Sequence, residues 1–354
     1  MEPVERIINA VKHKRQDRLP IDYTATPEAH NALKKYLSIE DDEQLLDKLG
    51  VDIRRVAGRY VGPEGLIPAA GINTSPGTDI FGVVWKPKEH PSGVYNEIAY
   101  HPLADAKTVK EIREYNWPSV DWFDFSHLKD EIDRINRDRR YAIMFFAGGA
   151  FETPWYIRGL ERFLLDLVEC PEIAETISSC VTDFYLKRAL RAIEESDGQI
   201  TIIGSGGDIG TQRGMMLSPA LWRRHIKPYS EKLIRTFKDM GFITFYHSCG
   251  SIVPVINDFI EMGLDILDPI QPKAKGMEPE NLKREFGDKL VFHGGIDVQE
   301  LLPFGTPEEV SRETARLMDI LGSDGGYIVA PAHAIQGDTP PENIMALYDT
   351  ANGG

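Results

Sequence analysis

His247 and Cys249 stand two residues apart in His247-Ser-Cys249-Gly250, at the end of the apolar run Phe242-Ile-Thr-Phe-Tyr246. In an extended segment residues i and i+2 point the same way, so an imidazole and a thiolate converge on one point and can hold one metal ion. The alternative for an isolated His-x-Cys is an exposed imidazole beside a buried thiol, because free Cys is among the most buried residue types. A further ligand is available in Ala330-Pro-Ala-His333-Ala-Ile-Gln336. The gap between Cys249 and His333 is far too long for a zinc finger, so these three would meet only across the fold, as ligands of catalytic sites do. One thiolate and two imidazoles suit Zn²⁺ with a fourth position open to substrate. The competing role for His333 is a hydrogen bond to substrate without metal.

Two other stretches carry groups for chemistry. Gly204-Ser-Gly-Gly-Asp208-Ile-Gly-Thr-Gln212-Arg-Gly214 is rich in glycine but lacks the Lys-Ser/Thr ending of a phosphate-binding P-loop. Asp208 and Gln212 are instead expected to orient a polar substrate group or to support a metal from its outer shell, unless Asp208 merely caps a turn. Gly148-Gly-Ala-Phe151-Glu152-Thr-Pro-Trp155-Tyr156 joins one acid to three aromatics. Glu152 is a candidate acid, base or extra ligand. Phe151, Trp155 and Tyr156 are candidates to wall a pocket for a flat or methylated substrate, with simple packing as the alternative. Gln336 is assigned to substrate contact, and His293 to a hydrogen bond in the barrel interior.

These groups need a frame, and the chain supplies short apolar runs separated by amphipathic helices. Candidate strands are Arg18–Asp22, Val51–Val56, Tyr141–Phe146, Ile200–Ile203, Phe242–Tyr246, Leu264–Leu267, Lys289–Phe292 and Tyr327–Ala330. Ser218-Pro219, Thr306-Pro307 and Thr339-Pro340 each pair a capping hydroxyl with a proline at a helix start, while Gly241, Gly263, Gly287 and Gly322 fall where helices should stop. After Cys170-Pro171, Ile173, Ile177, Cys180 or Val181, and Phe184 repeat at helical spacing, which makes Cys180 core filling and Cys170 a helix-start residue.

Eight strands with intervening helices predict an α/β fold, a (β/α)8 TIM barrel with an N-terminal hairpin and helical elaboration. The hairpin is expected from Asp79–Trp85 and Glu97–Tyr100, and the whole chain, 1–354, reads as one domain. A doubly wound open sheet is the fold alternative, disfavoured because no glycine-rich dinucleotide fingerprint follows the first strand. In a barrel the carboxyl ends of the strands carry the site. Asp22, Glu152, Asp208, His247, Cys249, Asp268, Gln271, His293, Asp297, His333 and Gln336 all follow candidate strands.

Composition narrows the class. Asp and Glu outnumber Lys and Arg by 55 to 40, and a formal charge of −15 repels phosphate backbones, so nucleic acid is not an expected partner. No apolar run approaches the roughly 20 residues of a membrane span. The opening residues lack the apolar core of a secretory signal. Three Cys suit a reducing compartment, and a cytoplasmic protein is expected.

Jointly, several segments resemble the uroporphyrinogen decarboxylase superfamily, in its cobalamin-dependent methyltransferase branch. They are Glu5–His13 with Asp17-Arg-Leu-Pro20, Asp79–Trp85, Pro102-Leu-Ala-Asp105, Gly207–Gln212, His247-Ser-Cys249-Gly250 and Ala330-Pro-Ala-His333 with Thr339-Pro340. The resemblance runs nearly end to end and implies a (β/α)8 barrel with its site at the mouth. It also implies zinc on His247 and Cys249, with a third ligand that is Cys in that branch and His333 here. A corrinoid cofactor is implied too. Since no Asp-x-His-x-x-Gly signature is present, the expected partners are a separate corrinoid protein and a small methyl donor or acceptor. Porphyrinogen decarboxylation is the distant second activity, because the early Arg-rich segment that grips propionates is replaced here by Thr26-Pro-Glu-Ala-His30. A catalytically silent binding barrel is the third reading.

Overall fold

Runs buried on both faces become parallel strands, because only a sheet covered on each side accepts them. In the computed structural model, which describes residues 1–68, 75–90 and 93–353, seven such strands line up in sequence order. They are β1 (Ile53–Val56), β2 (Ala142–Gly149), β3 (Ile202–Gly206), β4 (Ile243–His247), β5 (Ile266–Ile270), β6 (Val291–Ile296) and β7 (Tyr327–Pro331). Every neighbouring pair is parallel, with Ile53 opposite Ala142, Ile243 opposite Ile202 and Phe292 opposite Tyr327.

The expected strand at Arg18–Asp22 is reduced to a single bridge between Ile21 and Val329. Pro20 has no N–H to give the ladder, and the Ile21 N–H goes to the Asp52 carboxylate at 2.9 Å. This short segment still bonds both sheet edges. Asp22 N–H reaches the Val329 carbonyl at 2.9 Å, Val329 N–H reaches Pro20 at 2.8 Å, and Asp52 N–H reaches Ile21 at 2.9 Å. The curled sheet therefore closes through an eighth position, and the TIM-barrel expectation holds.

Ile53, Ala142, Ile202, Ile266 and Val291 are the first residues of their strands, and they form one buried cluster with Val4, Ile7 and Ala10. Helix Pro3–Val11 thus plugs the end of the barrel where strands begin. The same end is locked by charge, with Arg6 donating to Asp52 at 2.9 Å and Arg18 donating to Asp52 at 2.7 Å. The other end is left to the loops.

Between β1 and β2 an insertion builds a four-stranded sheet, whose hairpin pairs Val84–His90 with Gly93–Tyr100. The hairpin is present, but Asp79–Gly82 is a turn rather than part of its first strand. The Asp79 carboxylate accepts the N–H groups of Phe81 and Val83 and the Trp85 indole N–H at 2.8 Å, which folds the chain back, and Gly82 takes φ +80°.

Helix punctuation mostly holds: Ser218 and Thr306 cap the helices Pro219–His225 and Pro307–Leu321 with their side chains. Thr339 does not cap. Pro341 forces Pro340 into an extended conformation (ψ 135°), so the helix Pro341–Ala351 starts one residue late, and the Thr339 hydroxyl is buried without a partner among the described residues. In helix Pro171–Glu195 the core positions are Ile173, Ile177, Val181 and Phe184, whereas Cys180 is only half-buried, so Val181 and not Cys180 fills the core. Among the described residues no helix is long and apolar enough to cross a membrane.

Candidate functional site

β4 delivers His247 to the barrel mouth, opposite Asp268 on β5 and Gly206 on β3. Beyond it the chain turns sharply. Cys249 N–H donates to Asp208 Oδ1 at 2.8 Å and Gly250 N–H to Gln271 Oε1 at 2.9 Å. Gly250 sits at φ +80°, and a Cβ there would lie 2.6 Å from the Gly210 backbone, so glycine is required for the approach. This turn brings Cys249 Sγ to 3.5 Å from His247 Nε2. Two ligand atoms of a tetrahedral zinc lie about 3.5 Å apart, given Zn–S of about 2.3 Å and Zn–N of about 2.0–2.1 Å. His333 arrives from the segment after β7, and ligand atoms of His247, Cys249 and His333 all fall within 4.8 Å of one another.

Behind the imidazole runs a chain of paired charges. His247 Nδ1 meets Asp268 Oδ2 at 2.6 Å, and the other Asp268 oxygen meets His293 Nδ1 at 2.5 Å. His293 Nε2 then meets Asp22 at 3.0 Å, and Arg55 clamps both Asp22 oxygens at 2.9 and 2.5 Å. Burial alone would raise both carboxyls, but Arg55 and His293 hold Asp22, and His293 and His247 hold Asp268, well below the ordinary carboxylate range. Burial pulls His293 down, yet the flanking Asp268 and Asp22 carry it up to about 9. The Asp268 carboxylate on Nδ1 fixes the ring so that Nε2 faces Cys249, the arrangement that orients metal-ligating histidines. His333 has no such partner among the described residues. Burial, then the neighbouring His247, push its pKa down, so it stays neutral.

Glu152 opens the helix Glu152–Arg158 and accepts the backbone N–H of Asp208. Burial, then the Asp208 carboxylate, push its pKa up to about 7. It lines a cavity of about 290 Å³ together with Phe146, Tyr156, Tyr185, Arg188 and His247. A second cavity of about 240 Å³ shares Phe146 and His247 and includes Arg55, His293 and His333. A third, of about 250 Å³, is bounded by His333, Gln212, Gln271, Lys273 and Gln336. His247 and His333 therefore stand where the three spaces meet.

The residues singled out in the sequence separate accordingly. His247, Cys249 and His333 converge, with Asp208 Oδ1 3.5 Å from His247 Nε2 and Glu152 beside it. Gln212 lies one cavity away, 3.2 Å from Gln271, and Gln336 lines that cavity while accepting from Tyr95 of the insertion at 3.3 Å. Phe151 is fully buried against Phe163, and Trp155 packs edge-on to Tyr156 at 4.3 Å. Neither lines these three cavities. The reason is helical periodicity: Phe151 and Trp155 share one face and Glu152 and Tyr156 the next, and only the second faces the cavity. Arg55 and Arg188 were not picked out. Arg55 follows Ile53 by two in a strand, so the inward face was readable. Arg188 follows Phe184 by four on a buried helix face, a cation where an apolar residue belongs.

The uroporphyrinogen decarboxylase (URO-D) family model matches residues 2–353. Uroporphyrinogen decarboxylase of Syntrophotalea carbinolica is 27% identical over 229 residues, 61% of this chain and 61% of that protein. A Thermus thermophilus enzyme of the same name is 29% identical over 261 residues, 71% and 70%. Methylcobamide:CoM methyltransferase MtbA of Methanosarcina acetivorans is 21% identical over 203 residues, 57% and 56%. The chain thus spans less than two thirds of the first and last of these relatives. A solved methyltransferase from Methanosarcina mazei shares the fold, with a TM-score of 0.67 at 17% identity, over 100% of this chain and 99% of that one.

Proposed function

The chain belongs to the uroporphyrinogen decarboxylase family, and we propose that within it this protein is a zinc-dependent methyltransferase. In this reading 1–354 is one domain, and the methyl group moves between a small organic compound and a corrinoid carried by a separate protein. The observation that carries the reading is the meeting of His247, Cys249 and His333 at one point of the barrel mouth, with His247 held from behind by Asp268. Its relative named for methylcobamide supports the corrinoid.

The donor set fits zinc. Two imidazoles and a thiol are its usual ligands, and the 3.5 Å between Sγ and Nε2 is the tetrahedral spacing. Burial raises the Cys249 thiol pKa, only partly offset by His247, so without a cation the sulfur keeps its proton. When bound, zinc would supply Lewis-acid activation of the heteroatom that carries or receives the methyl group. Asp208 orients the loop by holding the Cys249 N–H, and Tyr156 and Phe146 wall the adjoining cavity.

We favour O-demethylation over thiol methylation. A neutral imidazole donates less charge than the thiolate usual in the methyltransferase branch, which favours an oxygen leaving group over a thiolate nucleophile. Breaking a methyl–oxygen bond leaves the electron pair on oxygen, which must gain a proton. Glu152, held near pKa 7 beside the cavity, keeps one available.

Porphyrinogen decarboxylation is the second reading, favoured by the names of two relatives. Among the described residues Arg55 at the mouth is already neutralised by Asp22, and Arg188 alone is a poor match for a substrate with many carboxylates. One experiment separates the readings. Zinc-loaded protein is given cob(I)alamin with methoxylated aromatics, methylcobalamin with small thiols, and uroporphyrinogen III under anaerobic conditions. Spectral conversion of cob(I)alamin by the methyl ethers is the expected result. Conversion only with thiols would reverse the direction, coproporphyrinogen would install the decarboxylase, and inactivity in all three would leave a silent barrel.

A further inference from the structure

Arginines that reach inward in this fold find carboxylates. Arg54 meets Glu43 and Asp47, Arg55 meets Asp22, and Arg158 meets Asp166. Arg188 is different. From helix Pro171–Glu195 it reaches over the rings of Phe123, Phe145 and Tyr185, 5.5 to 5.7 Å from their centroids. Its Nη2 donates to the carbonyls of Phe146 and Ala147 at 2.9 and 2.8 Å, at the end of β2. Its Nε is buried with no partner, and among the described residues no carboxylate approaches it. Nor does any residue outside the described set carry an acidic side chain. Burial pushes the guanidinium pKa below its ordinary value. A partly buried cation with no carboxylate beside it is costly unless something neutralises it, and among the described residues only ring faces and two carbonyls approach Arg188.

The location says what would. Arg188 lines the 290 Å³ cavity that His247 and Glu152 also line, between the aromatic walls Phe146, Tyr156 and Tyr185. That volume is at the small end of ligand pockets, about 300–1,000 Å³, and takes one planar ring. We propose that Arg188 binds the anionic group of the substrate, so that the compound presented to His247, Cys249 and His333 is a monoaromatic methyl ether bearing a carboxylate. The inference rests on the methyltransferase reading for the methyl ether, but the anion site stands on Arg188 and its cavity. Guanidinium suits the task because it stays charged and packs on rings, and with Nη2 taken by two carbonyls its Nη1 makes no hydrogen bond among the described residues.

The test is binding, which needs no turnover. Calorimetry at pH 7.5 compares 4-methoxybenzoate with its uncharged methyl ester on the zinc-loaded wild type, Arg188→Gln and Arg188→Lys, with zinc content and Tm checked for each. The wild type should prefer the acid by at least 10-fold, Arg188→Gln should lose that preference, and Arg188→Lys should keep part of it. Equal affinity of acid and ester in the wild type, no binding of either, or a preference unchanged in Arg188→Lys and Arg188→Gln overturns the proposal. If Arg188→Gln fails to fold, the wild-type ratio and Arg188→Lys still decide. Acid preference without methyl transfer to cob(I)alamin keeps the anion site and rejects the methyltransferase. Methyl transfer to cob(I)alamin together with equal affinity for acid and ester rejects the anion site and keeps the methyltransferase.

Discussion

Where the barrel strands begin, Arg6 and Arg18 both close on the fully buried Asp52, and helix Pro3–Val11 seals the interior with Val4, Ile7 and Ala10. Where they end, Glu152 holds its proton to about pH 7, His333 has no hydrogen-bond partner among the described residues, and Arg188 has no carboxylate. Both ends bury polar groups, but one satisfies them internally and the other leaves them to a ligand. A polar group saturated by the protein stabilises the fold. An unsatisfied one at a cavity wall marks where an ion or substrate completes the site. The Asp268 network lies between these extremes, fully paired yet ending on the imidazole that faces Cys249.

The sharpest break in this contrast is Cys249→Ser. Zinc per chain, measured on protein purified without added metal, should fall from about one to near zero while the fold is kept, because a hydroxyl is a far poorer zinc ligand than a thiolate. Equal zinc in both proteins would remove the metal centre. Asp52→Ala should do the reverse. Arg6 and Arg18 lose their buried partner, which costs about 3–5 kcal/mol in denaturant unfolding, while zinc binding by the folded protein is unchanged.

Glu152→Gln tests the proton at the mouth. General acids contribute about 10²–10⁴-fold, so demethylation at pH 6 should fall by about 10². In the wild type the rate should decline as pH rises through about 7, where Glu152 ionises, and the variant should lose that limb. The stability sign follows from the same shift. A folded pKa raised above the ordinary carboxyl value gives a contribution that is complete at low pH and is lost as pH rises through about 7. A variant that keeps the limb would move the proton donor elsewhere.

The smallest effect is expected from Asp268→Asn, which leaves every ligand in place but weakens the hold on His247 Nδ1. Zinc affinity should drop by about 10–100-fold in a chelator competition. An unchanged affinity would make the Asp268–His293–Asp22–Arg55 chain a part of the scaffold only.

Much of this was readable in the chain. The eight apolar runs and the proline-led caps announced the barrel, because parallel strands covered on both faces and helices with fixed start signals leave local patterns. His247 and Cys249 were readable as a pair because two residues of extended chain put them on one face. For Phe151, Trp155 and Tyr156, composition names an aromatic stretch without saying which helix face meets the cavity. Thr339 was misread because a second proline moved the helix start by one residue. The eighth strand shrank to a bridge because Asp52, 31 residues away, takes its N–H.

By itself the sequence determined the repeating strand–helix order and the local His-x-Cys pair, since each depends on neighbours within a few residues, and the likeness to a family, since each of the motifs that jointly carry it is short. Only the closed barrel decided that His333 would meet that pair, that Asp268 and His293 would link it to Asp22 and Arg55, and that Arg188 would stand beside it unpaired. Those relations join strand ends far apart along the chain, and they exist only once hydrogen bonding around the ring has fixed the register of each strand.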